Sequence, residues 1–269
     1  MLKIRVIPIL LLQDGLLKKP VQFKNPRTVA NPLSVVRVFE QRHVDELILL
    51  DIGLTVGQDE IDPDLVRDIA EELYVPFAFG GGVRSVEVIQ NIVQAGAEKV
   101  VINTAAVEIP ELITEGAAKC GSQCIVVSID AKHNGEFYEV YIRSGSEPTG
   151  LDAVVWAKKV EDLGAGEILI NSIPHEGMLQ GYNIELIRRV ADAVSVPVIA
   201  AGGASQLKDF VCAVKDGGAS AVAAGSIFHY TKITPNMVKG ALNAAGIPVR
   251  MYNDVDYSFQ VVRSEDNEK

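Results

Sequence analysis

Asp130 closes the apolar run Val126-Val127-Ser128-Ile129, and Asp51 closes Leu47-Ile48-Leu49-Leu50 in the same manner. A carboxylate directly after a buried strand is placed to act as a general acid or base, or to cap the loop that follows. Asp130 is the acid/base candidate, and Asp51 reads as a residue that orients a neighbour. Two glycine-rich segments, Gly80-Gly81-Gly82 and Gly202-Gly203, also follow apolar runs. Glycine lets the backbone approach a phosphate closely and offers unobstructed N–H donors. Asn103-Thr104-Ala105 and Gly225-Ser226 stand at two further strand ends and add amide and hydroxyl donors. Any one of these loops could be no more than a tight turn. Their repetition points to two phosphate sites on opposite sides of one mouth, one at Gly80-Gly81-Gly82 and Asn103-Thr104-Ala105, the other at Gly202-Gly203 and Gly225-Ser226.

Arg5, Glu46, Lys99 and Glu167 each stand at or just before the start of a buried apolar run. Two cations and two anions at the N-terminal ends of strands suit a closed salt-bridged ring, which physics alone assigns to stability. His43, His133, His175 and His229 show no ligand-like spacing, so no metal is expected, and nothing in the sequence calls for a cofactor.

The elements that must position these groups follow from hydrophobic patterning. Apolar runs fall at Ile4–Leu11, Glu46–Ile52, Phe77–Phe79, Val100–Ile102, Ile125–Ile129, Ile168–Ile170, Val198–Ala201 and Ala221–Ala224. Continuous rather than alternating apolar runs fit strands buried on both faces of a parallel sheet. Helical patterns lie between them, at Pro32–Arg42, Pro63–Leu73, Val86–Ala95, Ala153–Leu163, Ile184–Val194 and Leu207–Val214, with a last one at Pro235–Ala245. Alternation of this kind predicts an α/β fold, a single (β/α)8 TIM barrel, with the functional loops at the C-terminal ends of its strands. The sequence also repeats itself. Val75-Pro76-Phe77-Ala78-Phe79-Gly80-Gly81-Gly82 lies over Val196-Pro197-Val198-Ile199-Ala200-Ala201-Gly202-Gly203 without gaps, and the same offset brings Glu46-Leu47-Ile48-Leu49 onto Glu167-Ile168-Leu169-Ile170. Two half-barrel repeats account for this. The barrel is expected over residues 1–252, followed by an acidic tail over 253–269.

Composition excludes several functions. Of 269 residues, 48% are hydrophobic and 22% charged, which supports a large core and excludes a disordered chain. A net charge of −10 disfavours nucleic acid and anionic membranes as partners, though not a local basic pocket. The run Val6–Leu12 is too short to span a membrane, contains Pro8 and lacks a cleavage site, so it reads as a strand rather than a signal peptide. Cys120, Cys124 and Cys212 are too few and too irregular for a disulfide framework, and a cytoplasmic location is expected.

Nearly the whole chain, about Leu2 to Met251, resembles the HisF family, the cyclase subunit of imidazole glycerol phosphate synthase. The resemblance is carried by Asp45-Glu46-Leu47-Ile48-Leu49-Leu50-Asp51-Ile52, Gly80-Gly81-Gly82, Lys99–Val107, Gly121-Ser122-Gln123, Ile129-Asp130-Ala131-Lys132, Gly164–Leu169, Gly181-Tyr182 and Gly202-Gly203-Ala204. It implies a HisH-like glutaminase docked at the N-terminal face of the barrel and ammonia travelling up the lumen. Arg5, Glu46, Lys99 and Glu167 then become the ammonia gate. Lys19, in the first loop, is implied as a substrate contact, and Gly82, Asn103, Thr104, Gly203 and Ser226 as the phosphate sites.

The departures from the family are as informative. The family uses two catalytic aspartates, and Leu11 stands where the first belongs; leucine can neither donate nor accept a proton. Asp14 lies nearby as a poor substitute. Ile173-Pro174-His175-Glu176-Gly177-Met178 carries proline, glutamate and methionine where the family has two aspartates and a threonine. The leucine run and Phe23-Lys24-Asn25-Pro26 resemble a divergent branch associated with surface-polysaccharide genes, whose members work with a glutaminase and an ATP-dependent sugar amidotransferase. Three functions follow as expectations: an ammonia-channelling subunit of sugar amidation with weak or absent cyclase activity, a true cyclase of histidine biosynthesis, and a non-enzymatic phosphate-binding barrel.

Overall fold

The computed structural model describes residues 3–54 and 61–252. The expected tail, 253–269, lies outside the described residues. Strands β1 (Arg5–Gln13), β4 (Leu47–Asp51), β5 (Phe77–Gly80), β6 (Lys99–Ile102), β7 (Ile125–His133), β10 (Glu167–Ser172), β11 (Val198–Ala201) and β12 (Ala221–Ala224) pair in parallel in that order. β12 returns to β1, with Arg5 opposite Ala221, and the barrel closes. These are the eight apolar runs predicted from sequence.

Helices α1 (Pro32–Gln41), α2 (Pro63–Glu71), α3 (Val86–Gln94), α5 (Glu111–Cys120), α6 (Ala153–Asp162), α7 (Ile184–Ala191), α8 (Leu207–Lys215) and α10 (Pro235–Ala244) surround it. Capping explains several of their starts. Asn31 Oδ1 accepts from Leu33 N before the proline at the head of α1, and Asp152 Oδ1 accepts from Val154 N ahead of α6. Asp62-Pro63 and Thr234-Pro235 repeat the device for α2 and α10. The repeat offset that carries β5 onto β11 also carries α1 onto α6 and α3 onto α8, boundary for boundary.

The structure adds two hairpins that the sequence patterns do not single out. β2 (Leu16–Val21) and β3 (Lys24–Ala30) extend β1, while β8 (Tyr138–Ile142) and β9 (Glu147–Asp152) extend β7. They occupy matching places in the two half-barrels. Both are antiparallel flaps with one face on solvent, so their side chains alternate or are charged rather than forming apolar runs. Two short helices, α4 (Thr104–Glu108) and α9 (Ser226–Tyr230), occupy positions read from sequence as loops.

The core has two layers. Ile7, Ile9, Leu11, Ile48, Ala78, Val101, Val126, Leu169, Ile199, Ala221 and Ala223 point into the lumen. The alternate residues on the same strands pack outward against the helices, including Leu47, Phe77, Val100 and Ile168. The seam between the last helix and the first strands is clasped by a buried ion pair. Lys239 Nζ, fully inaccessible on α10, donates to Asp45 Oδ1 and His43 O, each at 2.7 Å. Asp45 Oδ2 in turn accepts from Val6 N at 2.9 Å.

Candidate active site

Side chains from the C-terminal ends of the strands enclose a cavity of about 450 Å³. Its walls differ sharply. On the β7–β10 side stand Ser128, Asp130 and Asn171, with Asn103 from the end of β6; on the β1–β4 side stand Ile9, Leu11, Leu50 and Ile52. The barrel register shows how the two sides correspond. Asp130 lies opposite Asn171 on β10 and Tyr141 on its hairpin strand, whereas Leu11 lies opposite Leu50 on β4 and Lys18 on its hairpin strand. Leu50 and Asn171 are related by the repeat. Leu11 therefore occupies the place in the first half-barrel that Asp130 occupies in the second, and the polar pair Asp130–Asn171 is matched by the apolar pair Leu11–Leu50. Asp14 cannot compensate: it sits exposed in the β1–β2 turn and does not line the cavity.

Asp130 accepts from Asn171 Nδ2 at 3.3 Å and from Asn103 Nδ2 at 3.2 Å. Burial raises its carboxyl to about 7, and the nearby Glu176 carboxylate adds to the rise, while the Asn171 amide opposes it. A carboxyl titrating near neutrality can exchange a proton in either direction at physiological pH. Asp51 also lines the cavity, and its Oδ1 accepts from Gly53 N at 2.9 Å and from Leu54 N at 3.4 Å, which caps the loop that follows β4.

The glycine loops face this cavity. Gly81 has φ +107, and a Cβ there would lie 2.1 Å from Asp51 O; Gly202, its repeat mate, has φ +85 and would meet Asn171 Oδ1 at 2.4 Å. Only glycine fits either position. Gly82, Asn103 and Thr104 line the large cavity, next to Arg84 and Arg143. Gly203 and Ser226 instead line a small side pocket of about 10 Å³. The five phosphate candidates thus fall on two sides of one mouth, the recess and the main cavity sharing Glu176, Gly202, Ala224 and Gly225.

Lys19 is not on a loop: it lies in strand β2 and is buried, with its Nζ 2.7 Å from Glu176 Oε1. Its ammonium lies close enough to the Gly225 backbone that a Cβ there would approach Nζ to 2.5 Å. Burial, together with the Lys19 charge, lowers the His229 imidazole to about 4. Sequence reasoning noted Glu176 only as a departure and missed Arg84, Arg143, Ser128 and Asn171 altogether. Asn171 was legible through the repeat, as the partner of Leu50; the two arginines lie on loops whose course the sequence does not reveal.

At the opposite end of the barrel the four expected charges meet in one ring. Arg5 Nη1 donates to Glu46 and Arg5 Nη2 lies 3.1 Å from Glu167 Oε1, while Lys99 Nζ lies 2.9 Å from Glu46 Oε1 and 3.0 Å from Glu167 Oε1. Burial works against the Arg5 charge, yet the two carboxylates more than offset it and raise the guanidinium above its usual value. Between this ring and the cavity the lumen is lined by apolar side chains. No helix among the described residues is long and apolar enough to cross a membrane, and no group of three or more His, Cys, Asp or Glu among them is placed to hold a metal ion.

Comparison with known proteins places this architecture. A family model described as "Histidine biosynthesis protein" matches residues 5–234. The imidazole glycerol phosphate synthase subunit HisF of Pyrococcus furiosus is 47% identical over 251 residues, covering 93% of this chain and all of the relative. That of Thermococcus onnurineus is 46% identical over 251 residues, covering 93% of this chain and 99% of the relative. That of Dehalococcoides mccartyi is 45% identical over 253 residues, covering 94% of this chain and all of the relative.

Proposed function

Because the chain belongs to the HisF family of histidine biosynthesis proteins, we propose that it is an ammonia-accepting barrel subunit whose own cyclase chemistry is weak or absent. The observation that carries this reading is the asymmetry of the mouth. The gate charges are all present and joined in one ring, but Leu11 stands where the half-barrel symmetry calls for a partner to Asp130. A general acid or base contributes roughly 10²–10⁴-fold to a rate, so a cyclase deprived of one of its pair is slowed to that extent.

On this reading a HisH-like glutaminase docks at the N-terminal face, and Arg5, Glu46, Lys99 and Glu167 gate the passage. Neutral ammonia crosses an apolar lumen at little cost, whereas ammonium must shed its hydration to do so. The lumen side chains above the ring suit that selection. At the mouth, Gly82, Asn103 and Thr104 hold a phosphate, Gly203 and Ser226 form the matching set, and Asp130 exchanges the proton. The product nitrogen serves amidation of a surface-polysaccharide sugar, with an ATP-dependent amidotransferase supplying the activation that the barrel lacks.

A second reading, a genuine cyclase in histidine biosynthesis, is favoured by Asp130 itself, which titrates near neutrality and can serve as acid and base in turn. The gate is tested directly by Lys99→Ala. With the glutaminase bound and glutamine supplied, this variant should release ammonia to solvent, where a coupled dehydrogenase traps it, instead of delivering it to the mouth. Delivery as efficient as the parent's counts against the gate.

A further inference from the structure

Two thiols lie side by side at the N-terminal end of β7, and the chemistry of the mouth uses neither. Cys120 is the last residue of α5, and Cys124 closes a 3-10 turn, Ser122–Cys124, that leads directly into β7. Gly121 between them has φ +89, which reverses the chain, and Cys124 N–H donates to Gly121 O at 3.0 Å. Gln123 Nε2 donates to Cys120 O at 3.5 Å across the same turn. Cys120 is half-buried and Cys124 is 3% exposed. Burial raises the Cys124 thiol to about 11, and the Cys120 sulfur beside it adds to the rise. Cys212 lies apart from both, on α8.

This turn carries the start of β7, and β7 joins the two strands that bear the gate. On one flank Ile125 pairs with Val100 on β6, next to Lys99. On the other, Gly166 N–H donates to Ile125 O at 2.9 Å, and Gly166 immediately precedes Glu167. Ser122 O abuts Gly166 so closely that a Cβ there would lie 2.1 Å from it. A contact with no spare volume passes a displacement on rather than absorbing it. Lys99 Nζ and Glu167 Oε1, 3.0 Å apart, are thus held by strands that meet at the cysteine turn.

We propose that Cys120 and Cys124 form a redox-sensitive dithiol, which closes to an intrachain disulfide and thereby loosens the gate at Lys99 and Glu167. The bridge stands on the turn alone, and its effect on ammonia rests on the gate reading above. With hydrogen peroxide as oxidant, the half-buried Cys120 sulfur attacks one peroxide oxygen. The O–O bond breaks, and the departing hydroxide takes up the thiol proton as water. Cys124 then attacks the sulfenic sulfur, the S–O bond breaks, and the second hydroxide leaves as water with the Cys124 proton. The sulfurs must close to about 2.05 Å, which draws in the turn and shifts Ser122 against Gly166.

Peroxide treatment of the native full chain tests the bridge. The parent should lose the mass of two hydrogens and two of its three alkylatable thiols, with Cys212 left free, and dithiothreitol should restore both. Cys120→Ser should form no intrachain bond. A parent that keeps all three thiols, or that gains oxygen without losing hydrogen, overturns the proposal and leaves the gate reading untouched. The link to the gate is read with a HisH-like glutaminase bound and glutamine supplied. Oxidised parent should lose at least about fivefold more ammonia to the coupled dehydrogenase than reduced parent, and Cys120→Ser should not respond to the same treatment. A bridged parent that leaks no more than the reduced one, while Lys99→Ala does leak, overturns the link alone. If Lys99→Ala does not leak either, the gate reading falls and the link falls with it.

Discussion

Replacing Asp130 by asparagine should stabilise the barrel, and by an amount that depends on pH. The carboxyl is raised from 3.8 to about 7, so the folded chain holds its proton over a range in which the unfolded chain has lost it. Unfolding then releases a proton, and this group's contribution to stability falls as pH rises from about 4 to about 7, then levels off. Each pKa unit corresponds to about 1.4 kcal/mol, so a rise of about 3 units costs the parent on the order of 4 kcal/mol at pH 8. At pH 5 the folded carboxyl is still protonated and the cost is only about 1.5–2 kcal/mol. Asparagine keeps the shape and carries no charge, but its single oxygen accepts from only one of the Asn103 and Asn171 amides, which trims the gain equally at every pH and leaves its growth with pH unchanged. Urea unfolding of parent and Asp130→Asn at pH 5 and pH 8 should show a gain that grows by about 2 kcal/mol between the two. A gain that does not change with pH, or that shrinks toward alkaline pH, would refute the assignment to the mouth of a carboxylate whose burial outweighs its two amide hydrogen bonds.

Other perturbations test separate parts of the structure. Lys239→Met leaves Asp45 charged and buried without its cation, and should lower unfolding free energy by about 3–5 kcal/mol in chemical denaturation. Gly81→Ala must relieve a Cβ placed 2.1 Å from Asp51 O at φ +107, and should lose at least about 2 kcal/mol and weaken phosphate binding as the loop shifts. Phosphate diffused into crystals should lodge against Gly82 and Thr104 or against Gly203 and Ser226; both places empty at high phosphate would contradict the phosphate-binding mouth.

Much of the fold was legible because parallel barrel strands are buried on both faces and announce themselves as apolar runs. The repeat then supplied the symmetry. What the patterns missed shares one cause. Lys18 and Lys19 in β2, and the alternating Tyr138–Ile142 of β8, belong to solvent-flanked flaps whose residues do not read as barrel strands. Helices α4 and α9 are single turns, too short to show a period. At the site, Leu11 was set against Asp130 by the family resemblance, and the pairings of Leu11 with Leu50 and of Asp130 with Asn171 give the two equivalent places. Glu176 could not be placed, since only the folded course of the β1–β2 hairpin brings Lys19 to it across the mouth.

The most direct test of the central claim is turnover of the histidine-pathway ribonucleotide with free ammonium salt, which removes any need for a glutaminase, measured for the parent and for Leu11→Asp. The account predicts little or no parent activity, and a gain of roughly 10²-fold or more when the carboxylate opposite Asp130 is restored. Robust parent turnover that Leu11→Asp fails to improve would contradict it and establish a working cyclase that runs on Asp130 alone.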